Sequence, residues 1–281
     1  MNILITCLSY SNLTGSELYI YELGKRLTEL GHEVLVSAIQ HNPQSEIVKR
    51  SPFSSVLMGE EPDFKPDIIH CHQSDTLQKV LESNTKLPIV TTIHSEIIPQ
   101  HEKPILDKRI KKYICVRPSI QDYCIKNGVN KEKTEVIYNP IDFSRFKNLK
   151  GGFKRILFAG TYYDLREKAV MDILNGDIPA IFIGNFFVEL GKSLGSKYKQ
   201  HYFLPPVWNI EDYIEQCGVT AGINHGRTMI ESFIANRPHI NYEVDNLGNI
   251  LKKELLPVQD CSQYNSIKVV DDIIRIYEEQ I

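Results

Sequence analysis

What most constrains this chain is a recurring alternation. A short, almost uninterrupted apolar run leads into a polar loop, and an amphipathic segment follows at helical spacing. Asn2–Leu8 is the first such run. No charge interrupts it, as expected for a strand covered by helices on both faces of a parallel sheet. The polar loop Ser9 to Ser16, with Gly15 inside it, precedes Glu17–Leu30, where Leu18, Tyr21, Leu23 and Leu27 recur at helical spacing and Gly31 is a C-cap. Glu33–Ala38 is the next strand, which completes a βαβ unit.

The pattern continues with strands at Asp67–His70, Pro88–Ile93, Lys112–Val116 and Thr134–Tyr138. Helices are expected at Ser74–Ser83 and Pro118–Asn127, the latter with proline in its first turn. After Asn148–Gly152 the alternation restarts. Strands are expected at Arg155–Gly160, Ala180–Gly184, Gly218–Ile223 and His239–Tyr242, with helices at Thr228–Ala235 and Ile267–Glu279. The expected fold is α/β: two facing Rossmann-like, doubly wound domains with a cleft between them. Residues 1–147 form the first domain, 148–152 the linker and 153–281 the second. Ligands in such folds sit at the carboxyl ends of the strands, which directs attention to Ser9–Ser16, His70–His72, His94–Glu96, Gly160–Lys168, Gly184–Asn185 and Asn224–Thr228.

Composition excludes several classes. With 281 residues, 42% hydrophobic and 24% charged, the chain is globular. A formal net charge of -3 demands neither nucleic acid nor membrane as a partner. The six cysteines are scattered without a CxxC pair, as befits reduced thiols in a cytoplasmic protein. No apolar run approaches the roughly 18 residues of a membrane span, and Met1–Leu8 lacks the basic start of a signal peptide.

The densest chemistry lies in Ile223–Glu231. A strand ends, a loop containing Gly226 follows, and a helix begins, offering free N–H groups and the positive end of its dipole. Arg227 adds a planar cation suited to phosphate oxygens. Glu231, one turn beyond Thr228, can accept hydrogen bonds from sugar hydroxyls. The plainer alternative is a capping box, with Thr228 as N-cap and Glu231 as its partner.

The stretch Gly226–Pro238 resembles the nucleotide-sugar segment of the GT-B glycosyltransferases, above all the large retaining family four, which reads G-x-x-x-x-E-A-x-A-x-G-x-P there. Thr14-Gly15-Ser16-Glu17 followed by Leu23, Leu27 and Gly31-His32-Glu33-Val34 resembles that family's opening. Val136-Ile137-Tyr138-Asn139-Pro140-Ile141-Asp142 with Phe146 resembles its domain junction. The three stretches occur in family order and span most of the chain.

The resemblance implies a hexosyl- or pentosyltransferase that moves sugar from a UDP- or GDP-sugar to an acceptor hydroxyl, with retention. Its only cofactor-like requirement is the nucleotide-diphospho-sugar co-substrate. Metal independence also agrees with the lack of an Asp-x-Asp pair at any strand end. Gly15 and Ser16 would lie against the donor diphosphate. Lys168, with Arg166, would neutralise the leaving group. Gly160, Thr161, Asn224, His225, Gly226, Arg227 and Thr228 would line the donor, Glu231 would hold its ribose, and His94 would stand near the transferred sugar. The chain departs from the family pattern at Ile223, where the first of two acids is expected. It departs again at Gly160-Thr161, where Gly-Arg is usual, and at Lys168-Ala169, where Lys-Gly is usual. These departures keep open a non-catalytic nucleotide-sugar or glycan-binding module.

On the acceptor side, His70 and His72 share one strand face and read as acceptor lining or polar structure, since two ligands are too few for a metal. Glu96 reads as an acceptor contact or a solvated loop acid. The acceptor classes left open are a glycan, a lipid-linked sugar and a modified nucleic-acid base. Lys103–Lys112 is basic with apolar residues interleaved. As a helix it would be amphipathic, either a surface helix on the sheet or a peripheral contact to an anionic surface such as the inner membrane face. Tyr162, Tyr163 and Trp208 read as packing or stacking aromatics. An oxidoreductase or epimerase of similar shape is the remaining class, but the loop after the first strand lacks G-x-G-x-x-G.

Overall fold

The structure, a computed structural model, describes residues 1–96, 99–147 and 149–281. Asn148, the first residue of the expected linker, lies outside them. In chain order the first elements are β1 (Asn2–Tyr10), α1 (Gly15–Glu29), β2 (Glu33–His41), α2 (Glu46–Arg50), β3 (Ser54–Leu57), β4 (Ile68–His72), α3 (Ser74–Glu82), β5 (Ile89–Ile93), α4 (Pro99–Glu102), β6 (Ile110–Cys115), α5 (Pro118–Lys126) and β7 (Thr134–Val136). There follow β8 (Phe153–Ala159), α6 (Asp164–Leu174), β9 (Ala180–Ile183), α7 (Phe187–Leu194), β10 (Tyr202–Leu204), α8 (Ile210–Glu215), β11 (Cys217–Ile223), α9 (Arg227–Ile234), β12 (His239–Val244), β13 (Ile250–Leu256) and α10 (Ser266–Glu278).

The chain divides into two compact units. Unit 1 comprises Met1–Asn12, Ser16–Ile141 and Gln263–Ile281, and unit 2 comprises Leu13–Gly15 and Asp142–Ser262. In unit 1 a seven-stranded sheet runs β3-β2-β1-β4-β5-β6-β7, every pair parallel. The strand order reverses between β1 and β4, the topological switch point at whose carboxyl end ligands bind. Strands β4 and β5 are buried along their whole length, which suits the apolar and threonine-rich sequence of β5 and leaves His70 and His72 of β4 buried. Gly31 closes α1 at φ +84°, a left-handed position that glycine takes without strain, while His32 N–H donates to Leu27 O at 3.1 Å.

Unit 2 repeats the plan with six strands, β10-β9-β8-β11-β12-β13, and only β13 is antiparallel. Its switch point lies between β8 and β11. Phe158, Phe182 and Phe187 meet with ring centroids 5.5–6.1 Å apart, and Val170, Ile173 and Tyr242 pack around them.

The terminal helix differs from the sequence expectation, which leaves it in the second domain. α10 packs in unit 1. Val269, Val270, Ile273, Ile276 and Tyr277 are each no more than 1% exposed. The returning chain runs beside the departing one: Ile141 N–H donates to Tyr264 O at 2.9 Å, and Ser266 N–H to Ile141 O at 3.0 Å.

The basic segment is also not the helix considered from sequence. Lys103–Arg109 is irregular chain, and Ile110–Lys112 opens β6. Asp107 chelates Arg109 through Nε at 3.0 Å and Nη2 at 2.9 Å, and Lys112 pairs with Glu135 at 3.3 Å. Two of its cations are thus already answered by acids, and no amphipathic helix face exists to lie on a surface. All six cysteines are buried free thiols, with Cys115 and Cys124 Sγ atoms 3.9 Å apart.

Candidate active site

In unit 2 the carboxyl ends of β8, β9 and β11 carry an unusual backbone. Gly160 and Gly184 adopt φ +146° and +141°. A Cβ on Gly184 would stand 1.8 Å from Gly160 O, and one on Gly160 would stand 1.7 Å from Arg166 Nη1. Only glycine fits at either place. The gap above Gly160 is filled by the Arg166 guanidinium, which donates from Nη1 to Thr161 O at 3.0 Å and lies 5.2 Å from the Tyr163 ring. No carboxylate among the described residues pairs with it. Lys168, the other expected phosphate cation, is exposed and turned to the Asn249 side-chain oxygen.

The loop from β11 to α9 is strained. Asn224 and His225 are consecutive non-glycine residues at φ +48° and +54°, a sparsely populated region that persists where surrounding bonds hold it. Those bonds are present. Asn224 Oδ1 accepts from Val244 N–H at 2.9 Å, and Asn241 Oδ1 accepts from His225 N–H at 3.0 Å. The Asn224 amide is therefore occupied by backbone, whereas His225 is exposed and its ring makes no hydrogen bond among the described residues. Gly226 is the N-cap of α9, so Arg227 is its first residue and Thr228 its second. The capping-box alternative fails on this geometry. Glu231 instead accepts from Arg227 Nε at 2.7 Å, with side-chain exposures of 5% and 9%. Thr228 Oγ1 reaches Ala159 O at 3.5 Å, tying the helix to β8. A Cβ on Gly226 would touch only Ile223 O at 3.6 Å, and one on Gly15 nothing within 4 Å. Neither glycine is required by the fold.

At the other end of α9, Asn236 occupies φ +56° where the family pattern has glycine. Asparagine is one of the few residues that enter this region readily. Arg237, 9% exposed, donates to Cys217, Ala235 and Asn236 carbonyls and so closes the helix. Tyr162 and Trp208 belong to packing, against Phe187 and the Arg145 guanidinium respectively.

In unit 1 the loop after β1 is shaped by Glu17, 2% exposed, whose Oε1 accepts from Ser9 Oγ at 2.7 Å and from Ser11 and Asn12 N–H at 3.0 Å. Ser16 lies in the first turn of α1. On β4 and just past the end of β5 three imidazoles stack. His70 and His72 have ring centroids 4.5 Å apart, and His72 and His94 5.1 Å. Tyr19 meets His72 and His94 edge-on at 5.3 and 5.0 Å. His70 bonds Tyr277 OH through Nδ1 at 2.5 Å and Thr92 Oγ1 through Nε2 at 2.7 Å. His72 Nδ1 lies 2.8 Å from His94 Nε2. Burial pulls His70 and His94 down to about 3 and His72 well below its ordinary value, so all three are neutral near pH 7. Glu102, pushed up to about 8 by burial, accepts the His94 N–H at 2.8 Å.

Glu96 is tied within unit 1 rather than free in a loop. Arg117 Nη2 holds it at 2.5 Å and Ser119 Oγ at 3.1 Å. Sequence reasoning missed Glu102, whose contact to His94 spans eight residues, and Tyr277, whose contact to His70 spans 207. It also assigned no partner to Asn241, a buried amide that reads as an ordinary strand residue. Among the described residues no group of three or more His, Cys, Asp or Glu side chains is arranged to hold a metal ion, and no helix is long and apolar enough to cross a membrane.

Comparison with known proteins supplies the remaining findings. Residues 13–145 match Glycosyltransferase Family 4. No curated protein matches by sequence. Among solved structures, HepE of Anabaena in complex with UDP-glucose is 13% identical, with TM-score 0.69 over 100% of this chain and 91% of its own. A glycosyltransferase from Rickettsia africae is 12% identical, with TM-score 0.67 over 99% and 98%. A UDP-N-acetylglucosamine 2-epimerase from Rickettsia bellii is 14% identical, with TM-score 0.60 over 99% and 96%. Because the fold is shared with an epimerase, the architecture alone does not give the reaction. The family match over residues 13–145 is to glycosyltransferases.

Proposed function

We propose that this chain, a divergent GT-B glycosyltransferase, moves a hexosyl or pentosyl group from a UDP- or GDP-sugar to an acceptor hydroxyl, with retention and without a metal. The observation that carries the donor half is the pair of cations at the unit 2 switch point. Arg166 rests over Gly160 with no carboxylate partner among the described residues, and Arg227 opens α9. Together with the N–H groups of that helix they can neutralise a departing diphosphate, the charge that develops as the glycosidic bond breaks. Arg166 suits this role better than Lys168, whose ammonium is turned to Asn249.

Glu231 holds the donor ribose through the carboxylate capacity that Arg227 leaves free, since an ionised carboxylate has about four acceptor sites. His225 takes the place of the missing acid at Ile223 and meets the sugar, because Asn224 is committed to β12. His94 donates a hydrogen bond to the transferred sugar. In the transfer itself, the anomeric carbon–oxygen bond to the diphosphate breaks and one to the acceptor oxygen forms on the same face. The acceptor proton passes to the departing phosphate oxygen. A UDP-hexose is the first donor to try, supported by the UDP-glucose bound to HepE. The acceptor is a glycan, a lipid-linked sugar or a modified nucleic-acid base.

A thermal-shift screen of UDP- and GDP-sugars tests this reading. One of them should raise the melting temperature of the wild-type protein, and Glu231→Gln should abolish the rise. No shift across the whole panel would overturn it.

A further inference from the structure

His70 and His72, both 0% exposed, belong to the polar interior of unit 1 and are not acceptor lining. His72 is fully buried, lies between two other imidazoles, and uses one ring nitrogen, Nδ1, toward His94 Nε2 at 2.8 Å. Its other nitrogen, Nε2, is buried with no partner among the described residues. That orphan nitrogen decides the direction of the bond. If His94 donated from Nε2, His72 would accept at Nδ1 and keep its own proton on Nε2, leaving an N–H donor buried without an acceptor. If His72 donates from Nδ1, its Nε2 is a bare lone pair. Buried N–H groups without an acceptor are rarer than under-used acceptors, so the second arrangement is favoured. Both rings must be neutral for either, and their burial ensures that.

We propose that His72 is a positioning residue that fixes the tautomer of His94: it donates from Nδ1 to His94 Nε2, so that His94 carries its proton on Nδ1 and donates it to a hydroxyl of the transferred sugar. The sugar contact rests on the function proposed above, whereas the tautomer does not. His94 Nδ1 has no hydrogen bond among the described residues, and the ring is half-buried, so this nitrogen is the one available to a ligand. Tyr19, edge-on to both rings, restricts their rotation, and the stack on His70 holds His72 from the other side. A neutral imidazole is otherwise ambiguous between donor and acceptor. This pairing removes the ambiguity before substrate arrives, and a donor held in place needs no reorganisation in the transition state.

Long-range proton–nitrogen correlation of the imidazole rings tests the proposal in the full-length labelled protein. Wild type should show His94 protonated on Nδ1 and bare on Nε2. His72→Asn, whose amide N–H stands close to the Nδ1 position, should keep that tautomer and most of the transfer rate. His72→Leu should give a mixture of His94 tautomers and lower kcat/KM about tenfold, the scale of one hydrogen bond made in the transition state. A His94 proton on Nε2 in wild type overturns the proposal whatever transfer does, and so does a folded His72→Leu protein with wild-type tautomer and rate. The expected tautomer with transfer indifferent to both His72→Leu and His94→Ala would instead remove the sugar contact, while donor stabilisation in the thermal-shift screen judges the glycosyltransferase reading separately.

Discussion

Arg227 donates from Nε to Glu231 Oε1 at 2.7 Å, one helical turn along α9, with both side chains under a tenth exposed. The bond joins a cation suited to diphosphate to an acid suited to ribose. Glu231→Ala leaves a buried guanidinium short of its carboxylate, and breaking such a pair costs about 3 kcal/mol. Glu231→Gln keeps a carbonyl acceptor in the same place and should cost less. Urea unfolding with and without UDP separates the two effects. Both variants should lose the stabilisation by UDP, but only the alanine should unfold markedly earlier in its absence.

The glycines make a second contrast. Gly15→Ala and Gly226→Ala add a Cβ that meets no protein atom closer than 3.6 Å. Their melting temperatures should match wild type while kcat/KM falls at least tenfold, because in the proposed donor site the diphosphate would approach the backbone at these glycines. Gly160→Ala should behave in the opposite order. Its φ of +146° and the Arg166 guanidinium in the Cβ position forbid the side chain, so stability falls first. Wild-type activity in Gly226→Ala would count against a diphosphate at that loop.

Two cations near the first strand of unit 2 compete for one role. Arg166→Met should lower kcat/KM about 100-fold, typical for removing a group that stabilises transition-state charge. Lys168→Met should cost much less. Steady-state kinetics on both variants, folded and purified in parallel, reads this directly. The reverse ranking would return the role to Lys168.

Stability should depend on pH through the buried histidines. His70 and His239 are held at about 3, against about 6.5 in an unfolded chain. Their folded values are depressed, so the unfolded state binds protons first as pH falls. Each group's contribution is complete above pH 6.5 and is lost toward pH 3 at about 1.4 kcal/mol per pH unit. Glu102 acts in the other sense. Raised to about 8, it opposes folding progressively between its unfolded value near 4.5 and pH 8. Denaturant midpoints from pH 4 to 9 should therefore rise to about pH 6.5 and then decline to about pH 8, and Glu102→Gln should steepen the rise above pH 4.5 and remove the decline.

Much of this was legible in sequence because it is local. The apolar runs of β1, β4, β8 and β9, the helical spacing in α1 and the cap at Gly31 each follow from neighbours within a few residues. The glycine-and-arginine start of α9 is legible for the same reason. β3, β10 and β13 were not read, being short or laid at a sheet edge where Lys252 and Lys253 replace the apolar pattern. The basic segment misled because charge spacing alone does not distinguish a helix from a loop tied by Asp107. At the site, residue types gave Glu231 and Arg227, but their mutual bond, the occupied amide of Asn224 and the burial of His72 depend on strands far apart in sequence. The same holds for α10, whose apolar stripe was evident and whose destination was not.

That destination has a consequence for how the molecule is made. Tyr277 supplies the Nδ1 partner of His70, and Ile141 pairs with the backbone of Tyr264 and Ser266. Domains ordinarily fold in turn as the chain leaves the ribosome. Here the earlier-synthesised unit cannot complete its core until the chain has passed residue 277, after all of unit 2 has emerged. During synthesis the histidine stack waits uncapped, and α10, translated after unit 2, closes a sheet whose strands were all made before it.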